Sequence, residues 1–386
     1  MSYQIATKCL YAKDTDKNIK DRFGAVSFPI YQTATFSHPG VGDSTGYDYS
    51  RLQNPTREQL EKVICSLENG YDAIAFSTGM AAITALMELF SPGDHIIAGN
   101  DLYGGSIRLF HNISQKNLLT FDFVDTSTTD IEEFITPSTK AVFIETPTNP
   151  MMNVTDLIKT AQIAKKHGLL MIVDNTFLSP YFQNPLDLGA DIVVHSGTKF
   201  IGGHNDTLAG FLIVNTQTLS EKLRFILKTV GSSLAPFDSW LILRGVKTLP
   251  LRMERQQSNA KTIANWLIAQ PQIKNVYYPG LKNHPGYEIS KQQSRGFGSM
   301  LTFEVTDRNA AIILLESVKL IQYAESLGGV ETLITYPITQ THADVPSQER
   351  EKNGITDSVL RLSVGIEDID DLIFDLTQAF EKTIRR

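Results

Sequence analysis

The sequence predicts an α/β fold in which helices cover a mainly parallel sheet, followed by a smaller α+β domain at the C-terminal end. Three short apolar runs support the sheet, at 141–145 (AVFIE), 169–174 (LLMIVD) and 191–195 (DIVVH). Between the first two, residues 155–168 carry apolar side chains at helical spacing and end on Gly168. Strand, helix and strand at this spacing form a βαβ unit, and unbroken apolar runs indicate strands that are buried on both faces.

Composition is that of a globular protein, and it excludes several functions. Of the 386 residues, 42% are hydrophobic and 20% are charged, so two or three domains with substantial cores are expected. The formal net charge of -7 argues against a protein that coats nucleic acid or an anionic membrane surface. Because Cys9 and Cys65 are the only cysteines and no apolar signal segment is visible, we predict a cytoplasmic protein without a disulfide framework.

The order of these patterns along the chain predicts three regions. Residues 1–50 are charged and then rich in Gly, Pro, Ser and Thr, which indicates an extended arm that contacts a neighbouring subunit. Residues 51–245 form the main α/β domain, and residues 246–386 form the smaller one. Near this boundary, residues 237–269 predict one long helix or two, interrupted near Pro250.

Polar residues follow each of the three apolar runs. Asn149 lies just beyond the first run, Asp174 closes the second, and Lys199 follows the third. Because the carboxyl ends of parallel strands meet at one edge of a sheet, these side chains are expected to share one crevice. Each residue alone is more often a turn, cap or solvated side chain, but the combination predicts a site that contains an amide, a carboxylate and an amine.

This combination suits pyridoxal 5'-phosphate. A desolvated lysine such as Lys199 can lose its proton and form a Schiff base with the aldehyde of this cofactor. The pyridine ring acts as an electron sink only while its nitrogen is protonated, and a carboxylate such as Asp174 keeps it so. The hydroxyls of Ser196 and Thr198, just before Lys199 in the sequence, are available to donate to the phosphate.

A second phosphate-binding element is predicted at 77–80 (STGM), between an apolar run at 73–76 and a helical pattern at 81–90. Backbone N–H groups at the start of a helix attract anions, and Gly79 permits their close approach. An ordinary helix cap is the competing interpretation and, for this segment taken alone, the preferred one. The glycine fingerprint of dinucleotide enzymes, the P-loop, HExxH and GxSxG are all missing, and no metal ligand is assigned.

Nearly the whole chain resembles the Cys/Met-metabolism pyridoxal-phosphate enzymes, the cystathionine γ-synthase and γ-lyase group. No single motif is specific, but their ordered combination is. The matching motifs are GAVSFPIYQTATF (24–36), YDYSRLQNPTR (47–57), STGMAA (77–82), DLYGG (101–105), ETPTNP (145–150), VDNTF (173–177), HSGTKFIGGHND (195–206), ESLGGVETL (325–333) and LRLSVGIED (360–368). The resemblance implies the fold-type I architecture of pyridoxal-phosphate-dependent transferases, with residues 51–245 as the cofactor domain.

The resemblance also implies a role for residues around the cofactor ring. Lys199 would hold the cofactor and then shuttle protons, Asp174 would pair with the pyridine nitrogen, and Tyr103 would stack on the ring and assist as a proton donor. Asn149 would contact the 3-hydroxyl group. Lys199, Tyr103 and Asp174 are therefore the candidate catalytic residues.

The remaining implied roles concern the phosphate and the substrate. Gly79, Met80, Ser196 and Thr198 would hold the phosphate, and Tyr49 and Arg51 would reach it from a neighbouring subunit, in a homotetramer of two active dimers. Arg361 would bind the substrate carboxylate with two parallel hydrogen bonds. The other residues implied near the substrate are Ser326, which would also orient Lys199, and Asn149, Asp48 and Glu325.

Within the family, we favour replacement at the γ-carbon of an O-acylhomoserine by cysteine, or by sulfide, to give cystathionine. Asp48 in YDYSR and the segment 325–337 (ESLGGVETLITYP) resemble γ-synthases, whereas many γ-lyases carry Glu at the position of Asp48. Gly105 stands where methionine γ-lyases often carry Cys. Cleavage of a C–S bond to a 2-oxo acid and ammonia, by a cystathionine γ-lyase, methionine γ-lyase or cystathionine β-lyase, is the alternative.

An alternative of another class is a non-catalytic protein that keeps the fold for binding or assembly. The presence of Lys199, Asp174 and Arg361 argues against it. A nicotinamide oxidoreductase ranks behind both, because the glycine fingerprint is missing.

Overall fold

The computed structural model describes residues 3–11 and 23–384. The larger sheet of this part of the chain has seven strands in the order β1-β7-β6-β5-β4-β2-β3. β7 runs antiparallel to both of its neighbours, and the other neighbouring pairs are parallel. Its strands are β1 (Asp72–Phe76), β2 (His95–Gly99), β3 (Thr120–Val124), β4 (Thr139–Glu145), β5 (Leu170–Asp174), β6 (Ile192–Ser196) and β7 (Gly210–Val214).

The smaller sheet has five strands in the order β10-β11-β12-β9-β8 and is antiparallel except for the pair of β10 and β11. These strands are β8 (Ile273–Tyr277), β9 (Met300–Val305), β10 (Gln322–Tyr323), β11 (Leu333–Thr335) and β12 (Val359–Ser363). The predicted α/β class, with a mainly parallel sheet and a smaller α+β part, is confirmed.

Helices flank both sheets. They are α1 (Ile5–Lys8), α2 (Pro55–Glu68), α3 (Gly79–Met87), α4 (Gly104–Asn117), α5 (Leu157–His167), α6 (Ser179–Phe182), α7 (Gln217–Val230), α8 (Pro236–Val246), α9 (Leu249–Ile268), α10 (Tyr287–Gln293), α11 (Arg308–Ser317), α12 (Ser347–Lys352) and α13 (Ile369–Ile384), with short 3₁₀ turns at Ile131–Phe134 and Pro185–Leu188. None of the described helices is long and apolar enough to cross a membrane.

Local sequence signals explain where the helix of the predicted βαβ unit begins and ends. At the start of α5, the Asp156 carboxylate accepts a hydrogen bond from the backbone N–H of Lys159. Gly168 ends the helix with a φ of 65°, a conformation that glycine adopts without steric cost. β4 and β5 then pair in parallel on either side of this crossover, as the sequence predicts.

The interval around the predicted domain boundary contains two helices, α8 and α9, separated by Lys247 and Thr248. The first half of α9 packs into a core cluster with α2 and the larger sheet, and its second half packs into the core of the smaller sheet. The division at residues 245 and 246 stays a prediction, because one helix contributes to both cores.

Residues 23–50 contain no helix or strand longer than an isolated bridge, such as the one between Thr35 and Tyr49. Several apolar side chains of this segment are almost fully exposed, including Phe23, Val26 and Val41. The predicted arm at residues 1–50 falls partly on residues 1, 2 and 12–22, which lie outside the described part. Its contact with a neighbouring subunit stays a prediction.

Candidate active site

A cavity of about 200 Å³ lies at the carboxyl ends of β4, β5 and β6. We call it the Lys199 cavity. Parallel pairing brings Glu145 opposite Asp174, and Asp174 opposite Val194, so the three strand ends share one edge. Its lining contains the following predicted site residues: Gly79, Met80, Tyr103, Asn149, Asp174, Ser196, Thr198, Lys199, Glu325, Ser326 and Arg361.

Lys199 lies on the loop after β6, and its side chain reaches the smaller sheet's side of the cavity. Its Nζ donates a hydrogen bond to Ser326 Oγ over 2.7 Å. Burial, helped by the charge of Arg361, lowers the pKa of Lys199 to about 8, and Glu325 acts in the opposite direction. Ser326 has a φ of 90°, which is rare for a residue with a side chain and is typical of functional sites.

Arg361, on β12, is 1% exposed and lies across the cavity from the larger sheet's strand ends. Its Nη1 donates to Asn149 Oδ1 over 2.9 Å. Its Nη2 donates to the Ser326 carbonyl and to Thr335 Oγ1. The buried Nε has no partner. A buried guanidinium with neutral partners and a free N–H group is suited to bind an anion such as a carboxylate.

Asp174 closes β5, and its carboxylate is fixed by the residue two positions later. Oδ1 accepts hydrogen bonds from the backbone N–H and the hydroxyl of Thr176, over 3.0 and 2.6 Å. Burial raises the pKa of Asp174, and the Thr176 donors and nearby His195 oppose this rise. The sequence reasoning did not find Thr176, although a hydroxyl residue two positions after a strand-ending Asp is a known turn pattern.

The loop from β1 to α3 supplies the second element predicted for an anion. Thr78 is the N-cap of α3, because its hydroxyl accepts from the N–H of Ala81 over 2.9 Å. Gly79 leaves room: a Cβ atom there would be 3.1 Å from the Cβ of Ser196. The loop is therefore an ordinary cap, and its helix start also faces the cavity beside Ser196 and Thr198.

Tyr103 precedes α4 and is 41% exposed, which differs from a packed core aromatic residue. Its ring lies where a side chain at position 105 would project: a Cβ on Gly105 would be 2.5 Å from Tyr103 Cε1 and 3.1 Å from Met80 Sδ. Gly105 thus leaves the space that the Tyr103 ring occupies at the wall of the cavity.

Glu145 is a residue of the cavity to which the sequence analysis assigned no role. It is 5% exposed, and its Oε2 accepts a hydrogen bond from the N–H of Tyr103 over 2.9 Å. Burial and the neighbouring Asp174 raise the pKa of Glu145 well above its usual range, whereas the Tyr103 N–H and Arg361 oppose the rise. Two carboxyl groups side by side in a buried site do not both ionise readily, and this repulsion adds to the effect of burial on the pKa of Glu145.

Three predicted site residues, Asp48, Tyr49 and Arg51, do not line the Lys199 cavity of their own chain. Arg51 donates a hydrogen bond to the carbonyl of Lys228, and its guanidinium lies 5.5 Å from the centre of the Tyr49 ring. Asp48 lines a separate groove of about 1150 Å³, which we call the Asp48 groove, formed with α2 and α7. A role of Tyr49 and Arg51 at a phosphate therefore requires a second subunit.

Comparison with known proteins identifies the family of this chain. Residues 6–381 match the family described as Cys/Met metabolism PLP-dependent enzyme. The chain belongs to this family. It is a pyridoxal-phosphate-dependent trans-sulfuration enzyme, and the resemblance seen in the sequence is confirmed.

The most similar relatives carry three different names. The chain is 49% identical to a cystathionine gamma-lyase of Bacillus subtilis, with 94% of this chain and 96% of the relative covered. It is 48% identical to a cystathionine gamma-synthase of Haemophilus influenzae (98% and 99% covered) and 47% identical to a cystathionine beta-lyase of Lactococcus lactis (98% and 99% covered). These identities are too close to one another to separate the activities.

Solved structures agree on the fold. A cystathionine gamma synthase from Xanthomonas oryzae pv. oryzae, in complex with aminoacrylate and cysteine, matches with a TM-score of 0.96 at 39% identity, with 100% of both chains covered. The predicted fold-type I architecture of pyridoxal-phosphate enzymes is thereby confirmed.

The residues of the Lys199 cavity fit pyridoxal phosphate. The cavity contains a buried amine, a buried carboxylate held by Thr176, a helix start without a side chain at Gly79, and an arginine with an unpartnered Nε. The amine matches the aldehyde of the cofactor, the carboxylate matches its pyridine nitrogen, and the helix start matches its phosphate. The arginine matches the carboxylate of an amino-acid substrate. In the described residues, no cluster of three or more His, Cys, Asp or Glu side chains could hold a metal ion.

Proposed function

We propose that the protein catalyses γ-replacement, in which cysteine displaces the acyl group of an O-acylhomoserine and cystathionine is formed. Sulfide is the alternative sulfur donor to cysteine. The residue that supports replacement over cleavage is Asp48, in the segment YDYSR. In the site of a neighbouring subunit, Asp48, one methylene shorter than the Glu of many γ-lyases, would leave more space for a second amino acid beside the first.

The proposal starts with substrate binding at Arg361. The Nε of Arg361 is free, while Asn149 Oδ1 and the Ser326 carbonyl hold the two terminal nitrogens. The α-carboxylate of the substrate takes this free position, which places its α-carbon toward Lys199. Glu325, exposed at the cavity rim, is available to the amino group of the incoming amino acid.

Lys199 then acts as the base. Because its pKa is lowered to about 8, close to physiological pH, the free amine is neutral in a substantial minority of molecules and can then remove the α-proton. The same amine removes a β-proton, which lets the γ-substituent leave. Ser326 Oγ keeps the amine in place over 2.7 Å, and Tyr103, at the cavity wall, is positioned to donate a proton. Bound pyridoxal phosphate supplies the electron sink that stabilises negative charge on the α-carbon.

In the replacement, the bond between the γ-carbon and the acyl oxygen breaks, and a carboxylic acid leaves. A bond between the γ-carbon and the cysteine sulfur forms, and the thiol proton replaces the proton that left with the carboxylic acid. Lys199 returns the α- and β-protons, so the reaction needs no oxidant or reductant. Cys9 is buried and neither Cys9 nor Cys65 lines the cavity, so the sulfur comes from the substrate.

The remaining cofactor contacts are part of the same proposal. Asp174 presents its carboxylate to the pyridine nitrogen, Tyr103 stacks on the ring and Asn149 faces the 3-hydroxyl group. The phosphate is bound by the start of α3 and by the hydroxyl residues after β6, namely Gly79, Met80, Ser196 and Thr198, together with Tyr49 and Arg51 of a neighbouring subunit. The active unit is then a dimer, and we propose a cytoplasmic homotetramer of two such dimers.

Cleavage of cystathionine is the second candidate function, because the Bacillus subtilis relative at 49% identity is named a cystathionine gamma-lyase. Cleavage would use the same Lys199, Arg361 and Tyr103. The two functions differ in whether a thiol or water completes the reaction after the γ-substituent has left.

The experiment that separates them uses purified enzyme with pyridoxal phosphate. O-acetyl- or O-succinylhomoserine is mixed with cysteine, and cystathionine is followed; in a second reaction cystathionine is supplied alone, and cysteine and 2-oxobutanoate are followed. We expect synthesis to be the faster reaction. Rapid lysis with negligible synthesis would overturn the proposal, and release of homocysteine and pyruvate would indicate β-cleavage. The Lys199→Ala variant is the control for non-enzymatic product.

A further inference from the structure

One face of α9 carries three buried polar side chains at the spacing i, i+4 and i+7. They are Arg252, Gln256 and Asn259, which are 3%, 0% and 2% exposed. This spacing places them on one side of the helix, on the stripe that an amphipathic helix normally fills with apolar residues. Polar groups in such positions cost stability unless they are hydrogen-bonded, so their partners indicate what they do.

Arg252 binds the loop that carries Lys199. Its Nη1 donates to the carbonyl of Phe200 over 2.6 Å, and its Nη2 donates to the carbonyl of Ile201 over 3.3 Å. The guanidinium also fills the space beside Gly203, where a Cβ atom would be 2.1 Å from Nη1. Phe200 is the residue after Lys199, so the position of Arg252 sets the position of the lysine backbone.

Gln256 binds the segment that carries Ser326. Its Nε2 donates to the carbonyl of Gly329 over 2.7 Å. This segment also rests on the Lys199 loop, since a Cβ on Gly328 would be 2.6 Å from the backbone nitrogen of Phe200. Ser326 contacts both functional cations of the cavity, through its hydroxyl to Lys199 and through its carbonyl to Arg361.

Asn259 binds the segment that follows β12, where Arg361 lies. Its Nδ2 donates to the carbonyls of Gly365 and Glu367, over 3.1 and 2.9 Å. The first half of α9 packs with the larger sheet's core, and the second half packs with the smaller sheet's core. The helix is therefore the element that spans from the lysine side of the site to the arginine side.

We propose that Arg252, Gln256 and Asn259 are positioning residues, each of which aligns one of the three segments that bring Lys199, Ser326 and Arg361 together. We call them the α9 ladder. None of them lines the cavity, so they act through the backbone of the segments that they bind. The order along the helix predicts separate effects: Arg252 acts on the lysine, Asn259 acts on the carboxylate site, and Gln256 acts on both.

The inference rests on the proposed roles of Lys199 and Arg361, and its test does not depend on whether replacement or cleavage follows. The enzyme loaded with pyridoxal phosphate is titrated with pH, and the midpoint of the change in its visible absorption band reports on Lys199. It is then titrated with glycine, which has no side chain to cleave or replace, and the dissociation constant reports on Arg361. Neither measurement depends on turnover of a substrate.

For Arg252→Lys, we expect the midpoint to move by about half a pH unit or more while the glycine dissociation constant stays near the wild-type value. For Asn259→Ala, we expect the dissociation constant to rise about 3- to 10-fold with an unchanged midpoint. Gln256→Ala should change both. Ser258→Ala, at an exposed position of the same helix, is the matched control and should change neither.

Lower melting temperatures in all three variants, with midpoint and dissociation constant unchanged, would show that the ladder is merely structural and overturn the inference. If Arg252→Lys and Asn259→Ala change the midpoint and the dissociation constant in the same way, the separate roles assigned to the two residues are wrong. If Arg252→Lys fails to fold, Arg252→Gln is used instead, and if Asn259→Ala fails to fold, Asn259→Ser is used instead. Both replacements keep a hydrogen-bond donor. Arg361→Ala is run alongside: if it binds glycine as tightly as the wild type, the proposed site is wrong rather than the ladder.

Discussion

The Lys199 cavity and the segment from residue 23 to residue 51 differ in how their functional side chains are held. In the cavity, Lys199, Asp174 and Arg361 are each fixed by hydrogen bonds to other buried or half-buried groups. In the segment, Tyr49 is 43% exposed and Asp48 forms its contacts with Ser44 and His38, also near the surface. One part of the predicted site thus lies together within a chain, and the other part, on the proposed function, belongs to the site of a neighbouring subunit.

This difference implies two kinds of mutational effect. Changes in the cavity should impair a chain whatever its neighbours are. On the proposed function, changes in the segment should impair only the site of the neighbouring subunit. Four predictions test this comparison, in order of decreasing effect.

The largest effect is expected for Lys199→Ala. The variant loses the amine that holds the cofactor and moves the protons, so turnover should fall by about 10³-fold or more. The fold should be largely intact, because the side chain forms one hydrogen bond, to Ser326. Activity and far-ultraviolet circular dichroism check the two parts, with the exposed Lys247→Ala as control. Turnover within tenfold of the wild type would contradict the assignment.

Arg361→Ala should mainly weaken amino-acid binding. Loss of a charge-assisted pair corresponds to a rise in KM of about 10- to 100-fold. Arg361→Lys should be intermediate, since an ammonium group keeps the charge without the planar fork. KM and kcat are measured separately for each variant and for the wild type. Arg244→Ala, at an exposed position of α8, is the control. An unchanged KM and kcat would show that Arg361 does not bind the substrate.

Arg51→Ala should lower cofactor affinity by about tenfold, because one charged phosphate contact is lost. The decisive form of this experiment mixes Arg51→Ala and Lys199→Ala chains after unfolding and refolding them together. The assay uses a cofactor concentration too low to load sites that lack Arg51. If Arg51 acts on a neighbour, mixed dimers contain one intact site, and roughly a quarter of the wild-type activity returns. If Arg51 acts within its own chain, the mixture shows no more activity than its Arg51→Ala chains have by themselves, and the comparison between the two regions fails.

The smallest effect is expected for Glu145→Gln, and it depends on pH. In the folded protein, burial and Asp174 raise the pKa of Glu145, with Asp101 adding to the rise and Arg361 opposing it. Unfolding therefore releases a proton once the pH exceeds the ordinary value for glutamate, about 4.3, and stability falls as the pH rises through the raised pKa. Glutamine has no proton to lose. The difference in unfolding free energy, variant minus wild type, should therefore be larger at pH 8 than at pH 5.

Urea unfolding at the two pH values measures this difference. Glu288→Gln is the matched control, because it makes the same change at an exposed position of α10, where solvent screens the charge. An equal pH effect in both variants would mean that burial in the cavity is not its cause.

The sequence by itself determined the fold class and most of the Lys199 cavity. Short unbroken apolar runs are typical of strands buried on both faces, and Asn149, Asp174 and Lys199 follow parallel strands, which end at the same edge of a sheet. Gly79 came from the helix start predicted at 77–80, and Arg361 came from the ordered motifs of the family. The strand and helix signals are local and can be read from a short stretch of chain, whereas the motifs are specific only as an ordered set.

Only the tertiary structure decided which groups face one another across long sequence separations. The bond between Arg361 and Asn149 joins residues 212 positions apart, and no periodicity encodes it. The raised pKa of Glu145 comes from burial beside Asp174, and the α9 ladder is visible only once three distant loops lie against one helix. The physical reason is that burial and electrostatics depend on the distances between elements, which packing sets, whereas the sequence determines the elements themselves.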